Sequence, residues 1–305
     1  MSFVTSPEIP GENPCGAAQQ KLVDAHFQSH VAQWRDVYDE ALVDGAIYRK
    51  RLEIVLRWID ELAIPAREKV LEIGCGSGRC TAALAQRGYF VQAIDSVAGM
   101  LNSTRQLAVQ AGVSSSVSTS LGDAHNLPFQ DSSFGLVLAI GVIPYLHSPE
   151  KALREMARVL RPGGFILVTG GNRWRLNYVL DPWICPPLQR AKRIIGAIRR
   201  PFRKPRPDPP WPPLRLDSLR ELERWLSSVG LAKVKAKTVG FPPVTFHCRP
   251  IFGERNSIRL NCWLQWLADH NVPGIRSSGM DYVSLARKSE DRGTEERGRR
   301  RASGP

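Results

Sequence analysis

The segment Val70-Leu71-Glu72-Ile73-Gly74-Cys75-Gly76-Ser77-Gly78 sets three glycines at alternate positions, directly after an apolar run and directly before a helical stretch. Glycines there let the chain turn tightly at a strand end and let a ligand approach the backbone, with the N–H groups of the next helix pointing at it. The flanking sequence has the alternation that an open α/β sheet demands. Short apolar runs at 69–73, 90–94, 116–121, 134–140 and 164–169 are separated by helical stretches at 78–87, 97–111 and 149–160. That series predicts a doubly wound, mostly parallel sheet with helices on both faces. Ser148-Pro149-Glu150 supplies one helix with a cap, an N1 proline and an early acid, and Arg161-Pro162-Gly163-Gly164 closes it.

The same alternation assigns the rest of the chain. Residues 1–20 lack periodicity and are expected to be flexible. Across 21–64 apolar side chains recur at helical spacing, as in Trp34, Tyr38, Ala41 and Leu42, which predicts a helical N-terminal cap. The α/β domain is expected over 65–287, with inserts at 173–215 and 240–279 acting as substrate lids. A helix over Asp217–Ser228, a strand over Leu231–Val239 with alternating Lys233, Lys235 and Lys237, and a last strand over Met280–Ala286 bring the strands to seven. The tail, 288–305, is rich in charge, poor in apolar residues and expected to be disordered.

Charge is distributed unevenly. The net +13 arises from 15 basic against 17 acidic side chains over 1–172, 10 against 1 over 173–206, and 17 against 11 over 207–305. The region with the glycine loop is therefore near neutral, and the excess belongs to the inserts and tail. Ten of the 23 prolines fall within 182–213, marking an extended or irregular stretch. The segment 188–206 places Leu188, Ala191, Ile195 and Ile198 on one helical face with basic groups opposite, a pattern suited to packing as a lid or to contact with an anionic membrane surface. No aromatic stacking module accompanies it, which argues against nucleic acid. Six cysteines without a C-x-x-C pair read as free thiols, and no segment reaches the ~20 apolar residues that cross a bilayer. A cytoplasmic location is expected, with peripheral attachment to the inner face of a membrane as the further expectation.

Glu72 ends the first strand and Asp95 the second, 17 residues beyond Gly78. A carboxylate at the tip of a second strand can accept from both ribose hydroxyls of an adenosine. The dinucleotide fingerprint G-x-G-x-x-G is not met, because the third glycine comes one residue early and Arg79 fills the expected place. A nicotinamide-dependent oxidoreductase is thus the weaker alternative, and a non-catalytic, membrane-associated cofactor binder is another.

Five ordered motifs together resemble the class I S-adenosylmethionine-dependent methyltransferases, in the group that includes the ubiquinone/menaquinone C-methylases. They are the glycine loop, the segment from Asp95 to Met100, Gly122 through Phe129, Asp131 through Val137, and Arg158 through Gly164. The resemblance implies a seven-stranded Rossmann-like methyltransferase fold and S-adenosylmethionine as cofactor. It also implies that Glu72 and the backbone of Gly74, Cys75 and Gly76 hold the methionine moiety, Asp95 the ribose, and Asp123 and the backbone of Ala124 the adenine. Gly78, Ser96, Met100, His125 and Ile140 complete the expected cofactor contacts. The acceptor is expected to be a small or lipid-like molecule methylated on oxygen or carbon. Tyr145 and His147, in a stretch departing from the common pattern, are the candidate catalytic residues, with His125 and His247 as weaker ones. Arg49, Lys50 and Arg51 could meet the cofactor's carboxylate or form a solvated face. No metal is expected.

Overall fold

The computed structural model describes residues 16–185, Leu188 and 214–290, so most of the 188–206 segment and the tail beyond 290 lie outside the described residues. Strands β1 (Lys69–Ile73), β2 (Phe90–Asp95), β3 (Val117–Leu121), β4 (Phe134–Ala139), β5 (Leu160–Gly171), β6 (Leu231–Val239) and β9 (Asp281–Lys288) form one sheet. Their order is β3-β2-β1-β4-β5-β9-β6, with β9 antiparallel to both neighbours and the others parallel. A two-residue hairpin, β7 (Thr245–Phe246) with β8 (Arg249–Pro250), stands apart. Every residue of β4 is buried, as a central parallel strand covered on both faces requires. The strand order reverses between β1 and β4, and a doubly wound sheet opens its ligand crevice at the carboxyl ends of strands at such a point.

Helices α4 (Arg79–Gln86), α5 (Ala98–Gln110) and α6 (Pro149–Val159) connect the parallel strands. The expected cap on α6 is not made: Ser148 occupies the N-cap position, but its side chain bonds no helical N–H. Its backbone N–H instead donates to His125 Nε2 at 3.3 Å. A full capping box appears where the sequence reading placed none, at α8 (Leu219–Ser228), with Ser218 and Glu221 bonding each other's backbone N–H groups. In β5 the turn at 161–164 does not break the strand. Leu160 pairs with Phe134 and Phe165 with Leu136, so four residues bulge opposite Gly135.

Edge strand β6 carries the three alternating lysines. Lys233 pairs with Glu223, Lys235 with Glu61 and Lys237 with Asp269, so charge shields an otherwise open edge. Val234 is exposed because the register slips there, leaving it as an extra residue between the pairs Lys233–Ala286 and Lys235–Leu285.

The N-terminal helices are α1 (Gly16–Ser29), α2 (Val31–Asp36) and α3 (Val43–Asp60), and α1 starts within the stretch expected to be flexible. Helix α3 buries Ile47, Ile54, Val55, Trp58 and Ile59, the last four in one cluster with Leu84 of α4 and with β1, β4 and β9. The insert 240–279 is more regular than expected. It contains α9 (Glu254–Asp269), whose Asn261 and Gln265 accept from the backbone N–H groups of Phe241 and Gly240 and so satisfy the chain as it leaves β6.

Candidate functional site

The glycine loop joins β1 to α4 with all three glycines in the left-handed region, at φ +67° for Gly74, +54° for Gly76 and +83° for Gly78. Their surroundings differ. A Cβ on Gly78 would lie 2.7 Å from the Thr104 backbone and one on Gly74 2.4 Å from Val142, whereas one on Gly76 would meet nothing within 4 Å. Gly74 and Gly78 are therefore packing positions, and Gly76 is where the loop faces open space and a ligand can approach.

Two carboxylates brace this loop from beneath. Asp95 Oδ2 accepts from the Gly76 N–H and Oδ1 from the Val97 N–H, each at 3.0 Å, so one side chain fixes both the loop and the start of α5. Burial pushes its carboxyl up, and those backbone bonds oppose the rise. Glu72 is 2% exposed and accepts from Thr81 Oγ1 at 2.5 Å. Burial raises its pKa to about 7, with Asp95 adding to the rise and the Thr81 and Cys80 bonds opposing it. Cys75 is buried, and Thr104 Oγ1 bonds the Gly76 carbonyl, tying the loop to α5. Met100 and Ala124 are also buried, Ile140 is half-buried, and Ser96 is exposed with its hydroxyl donating to Asp24 Oδ1 of α1.

Beyond β3, Asp123 Oδ1 accepts from the backbone N–H of His125 at 2.9 Å and lies 2.6 Å from its ring Nδ1. With Nε2 accepting from Ser148, the bond network places the His125 proton on Nδ1. Burial works upward on the Asp123 carboxyl, yet the two bonds from His125 hold it below the usual range. The His147 ring stacks on His125 at 3.7 Å between centroids. Burial, then the neighbouring His125, lowers the His147 pKa, so its ring is neutral at neutral pH. Its Nδ1 is enclosed with no bonding partner.

Helix α1 closes over this edge. Gln28 accepts from the Gly99 N–H, Phe27 meets the Tyr145 ring edge-on at 5.0 Å, and Gly16 lies so close to His147 that a Cβ there would be 2.6 Å from its ring. Tyr145 and His147 are thus brought together beneath the cap, at the end of β4. His247 is not among them: its ring lies against Trp183 and Phe246 at the outlying hairpin.

Of the three basic residues at 49–51, only Arg51 faces inward. Arg49 bonds the carbonyls of Tyr38 and Glu40, and Lys50 pairs with Glu53. Arg51 is 7% exposed, donates to Asp281 Oδ2 at 3.1 Å and lies over the Tyr48 ring. It also stands beside Gly141, the residue after Ile140. The sequence reading missed Asp281 and Arg175, which join this cluster from β9 and from the turn after β5. Charge at a strand tip marked Asp95 in advance, but Asp281 begins an antiparallel strand and meets Arg51 only through the sheet. A separate surface groove lined by Arg173, Trp174, Ser218 and Glu221 shares no residue with this site.

Residues 71–168 match a family described as a methyltransferase domain. Over 110 residues the chain is 36% identical to Methyltransferase GfsG of Streptomyces halstedii, covering 36% of this chain and 40% of that protein. Over 122 residues it is 33% identical to Norajmaline N-methyltransferase of Rauvolfia serpentina, covering 39% and 42%. Magnesium protoporphyrin IX methyltransferase from Synechocystis PCC 6803, solved with bound SAH, shares the fold with a TM-score of 0.60 at 13% identity, over 89% of this chain and 100% of that one. The matches to those two curated relatives span less than half of each relative's length.

Proposed function

We propose that this chain, whose residues 71–168 match a methyltransferase domain, moves a methyl group from S-adenosylmethionine to oxygen or carbon of a small or lipid-like acceptor. The observation that carries the reading is the loop at Gly76, which faces open space while Asp95 fixes its backbone. The loop and acids present suit the cofactor: Glu72 for the ammonium of its methionine part, Asp95 for the ribose, Asp123 and the Ala124 backbone for the adenine. When bound, S-adenosylmethionine would supply an electrophilic methyl carbon on a sulfonium, suited to in-line displacement by an oxygen or carbon nucleophile.

The chain's own part is alignment and exclusion of water. Helix α1 covers the β2–α5 turn and the Tyr145–His147 stretch, so acceptor and donor would meet beneath it. In this reading Tyr145 walls the acceptor pocket and His147, neutral at pH 7, takes the proton that an oxygen acceptor releases. The relative named for an N-methylation makes nitrogen the principal competing target. A peripheral membrane role draws support from α9, whose Trp263 and Trp266 sit three residues apart and are both exposed. Among the described residues, no helix is long and apolar enough to cross a membrane.

Calorimetry with S-adenosylhomocysteine tests the reading. Binding to the wild type and its loss in Asp95→Leu are expected; equal affinity in both, or stabilisation by NAD instead of S-adenosylhomocysteine, would sink it. For His147, His147→Gln should abolish the acidic limb of the rate profile for an oxygen acceptor, and an unchanged limb removes it as the base.

A further inference from the structure

Arg175 is 4% exposed, yet its Nε and Nη2 atoms have no hydrogen-bond partner. These two donors point the same way along one edge of the guanidinium, and that edge is what this molecule uses elsewhere to grip a carboxylate. Arg87 holds Asp60 through Nε and Nη2 at 2.7 and 3.1 Å, and Arg158 holds Glu155 through the same pair at 2.9 and 2.8 Å. In Arg175 the same fork has no protein carboxylate in it.

We propose that Arg175 is the oxyanion receptor of the acceptor site, its Nε–Nη2 edge taking two oxygens of a carboxylate or phosphate group carried by the methyl acceptor. The inference rests on the methyltransferase reading and adds a substrate class to it.

The surroundings prepare the fork. Arg175 follows Asn172, which is fully buried and donates from Nδ2 to the carbonyls of Ser277 and Gly279 while accepting from the Trp174 N–H and from the Tyr282 hydroxyl. That turn is therefore fixed. The guanidinium stacks on Tyr178 at 3.6 Å, a contact that uses its face and leaves its edge for in-plane bonds.

Charge points the same way. Two buried guanidiniums, Arg51 and Arg175, act on one carboxylate, Asp281, and only Arg51 bonds it. A buried positive charge without a partner is strongly unfavourable, so an anion entering the cluster removes a penalty already present.

Position assigns the anion to the acceptor and not to the donor. Asp281 pairs with Gly171 at the carboxyl end of β5, and Arg175 lies just beyond that end. Strand β5 is two strands from β1 and its glycine loop, roughly 10 Å away. Arg51, beside Gly141, stands between the two. An acceptor anchored at Arg175 would extend toward the end of β4, where Tyr145 and His147 lie.

The test uses full-length protein labelled with 15N-arginine, so that the Nε–Hε cross-peak of Arg175, assigned by its absence from Arg175→Lys, can be followed. Acetate, benzoate and inorganic phosphate are titrated separately onto protein saturated with S-adenosylhomocysteine. A saturable shift of that peak is expected in the wild type, and anion affinity read by calorimetry should fall about tenfold or more in both Arg175→Lys and Arg175→Met, because the lysine keeps the charge but not the fork. S-adenosylhomocysteine should bind both variants as it binds the wild type. A response to phosphate alone or to the carboxylates alone supports the proposal and selects the group. An unmoved peak with all three anions overturns it. So does loss of the shift on cofactor binding, or weaker S-adenosylhomocysteine binding in both variants, since the fork would then belong to the donor's carboxylate. If S-adenosylhomocysteine fails to bind the wild type, the methyltransferase reading itself falls, an outcome separate from these.

Discussion

The two halves of the crevice are built on opposite terms. On the proposed donor side, around Gly74–Gly78, Asp95 and Asp123, each carboxylate accepts bonds from backbone N–H groups within about a turn of the ligand-facing loops. On the acceptor side, Arg51, Arg175 and Asp281 come from α3, the turn before α7 (Leu176–Leu180) and the start of β9, and they leave donors unpaired. In the first arrangement the hydrogen bonds of Asp95 and Asp123 are made within the fold; in the second, buried donors are left over. A site that must hold one invariable cofactor can be satisfied internally, whereas unpaired buried donors are tolerated where a ligand will satisfy them.

The largest expected effect lies within the donor side and separates its packing from its binding. Gly78→Val drives a side chain into the Thr104 backbone at a left-handed position, so the chain should lose its cooperative melting transition or melt more than ~10 °C lower. Gly76→Val carries backbone strain of about 1–2 kcal/mol but meets no neighbour, so it should melt within a few degrees of wild type. It should nevertheless lose S-adenosylhomocysteine binding by roughly a hundredfold or more. If the two variants behave alike, Gly76 is not the point of ligand approach.

Next comes a pair of substitutions of opposite sign on the acceptor side. Asp281→Asn leaves two buried guanidiniums without their counter-charge and should cost about 3 kcal/mol by denaturant titration. Arg175→Met removes the cluster's excess positive charge, a guanidinium whose Nε and Nη2 bond nothing, and should leave the unliganded protein as stable as before, or more so. A drop for Arg175→Met matching that for Asp281→Asn would make Arg175 an ordinary structural residue and erase the contrast between the two sides.

The same contrast explains what the sequence disclosed. The sheet, its crossovers, the glycine loop and Asp95 were legible because each depends on neighbours within a single β-α unit, where period and glycine spacing carry the information, whereas Asp123 was marked only by the family resemblance of its segment. Arg51 stood out only as one of three adjacent basic residues, and helical phase alone did not say which of them faced inward. Arg175 and Asp281 gave no signal, since Asp281 reaches Arg51 across 230 positions of sequence. The cap expected at Ser148 failed for a related reason: its backbone N–H is drawn to His125, 23 residues away, a tertiary partner that no local pattern reveals.

Glu72 offers a smaller, pH-dependent effect that locates the donor's ammonium. Its folded pKa of about 7 lies above the unfolded carboxyl value, so the sign is the reverse of an ordinary salt-bridged acid. Between pH 4.5 and 7 the folded protein holds a proton that the unfolded chain has released, and the unliganded protein should lose stability as pH rises through that window. An ammonium placed beside Glu72 favours its ionised form. Affinity for S-adenosylhomocysteine should therefore climb by up to about tenfold per unit toward pH 7 and level off above it, with proton release on binding at pH 6. Glu72→Gln should flatten that slope; a slope kept in the variant would remove Glu72 from the ammonium's surroundings.

The smallest effect tests whether the donor side is indifferent to what happens at the surface. Trp263 and Trp266 project from α9, which packs on α3 through its other face, and neither tryptophan belongs to the buried cluster that Leu264 and Ala268 form with Phe241. Replacing both with serine should shift stability by no more than about 0.5 kcal/mol and leave S-adenosylhomocysteine affinity unchanged. If this face meets lipid, as the amphipathic character of tryptophan at an interface would favour, sedimentation with anionic vesicles should fall by about fivefold, each ring contributing on the order of 0.5 kcal/mol. Sedimentation equal to wild type would detach these residues from any membrane role, whereas a change in cofactor affinity would mean that α9 transmits to the glycine loop through α3, and the two sides of the crevice could no longer be treated as separate.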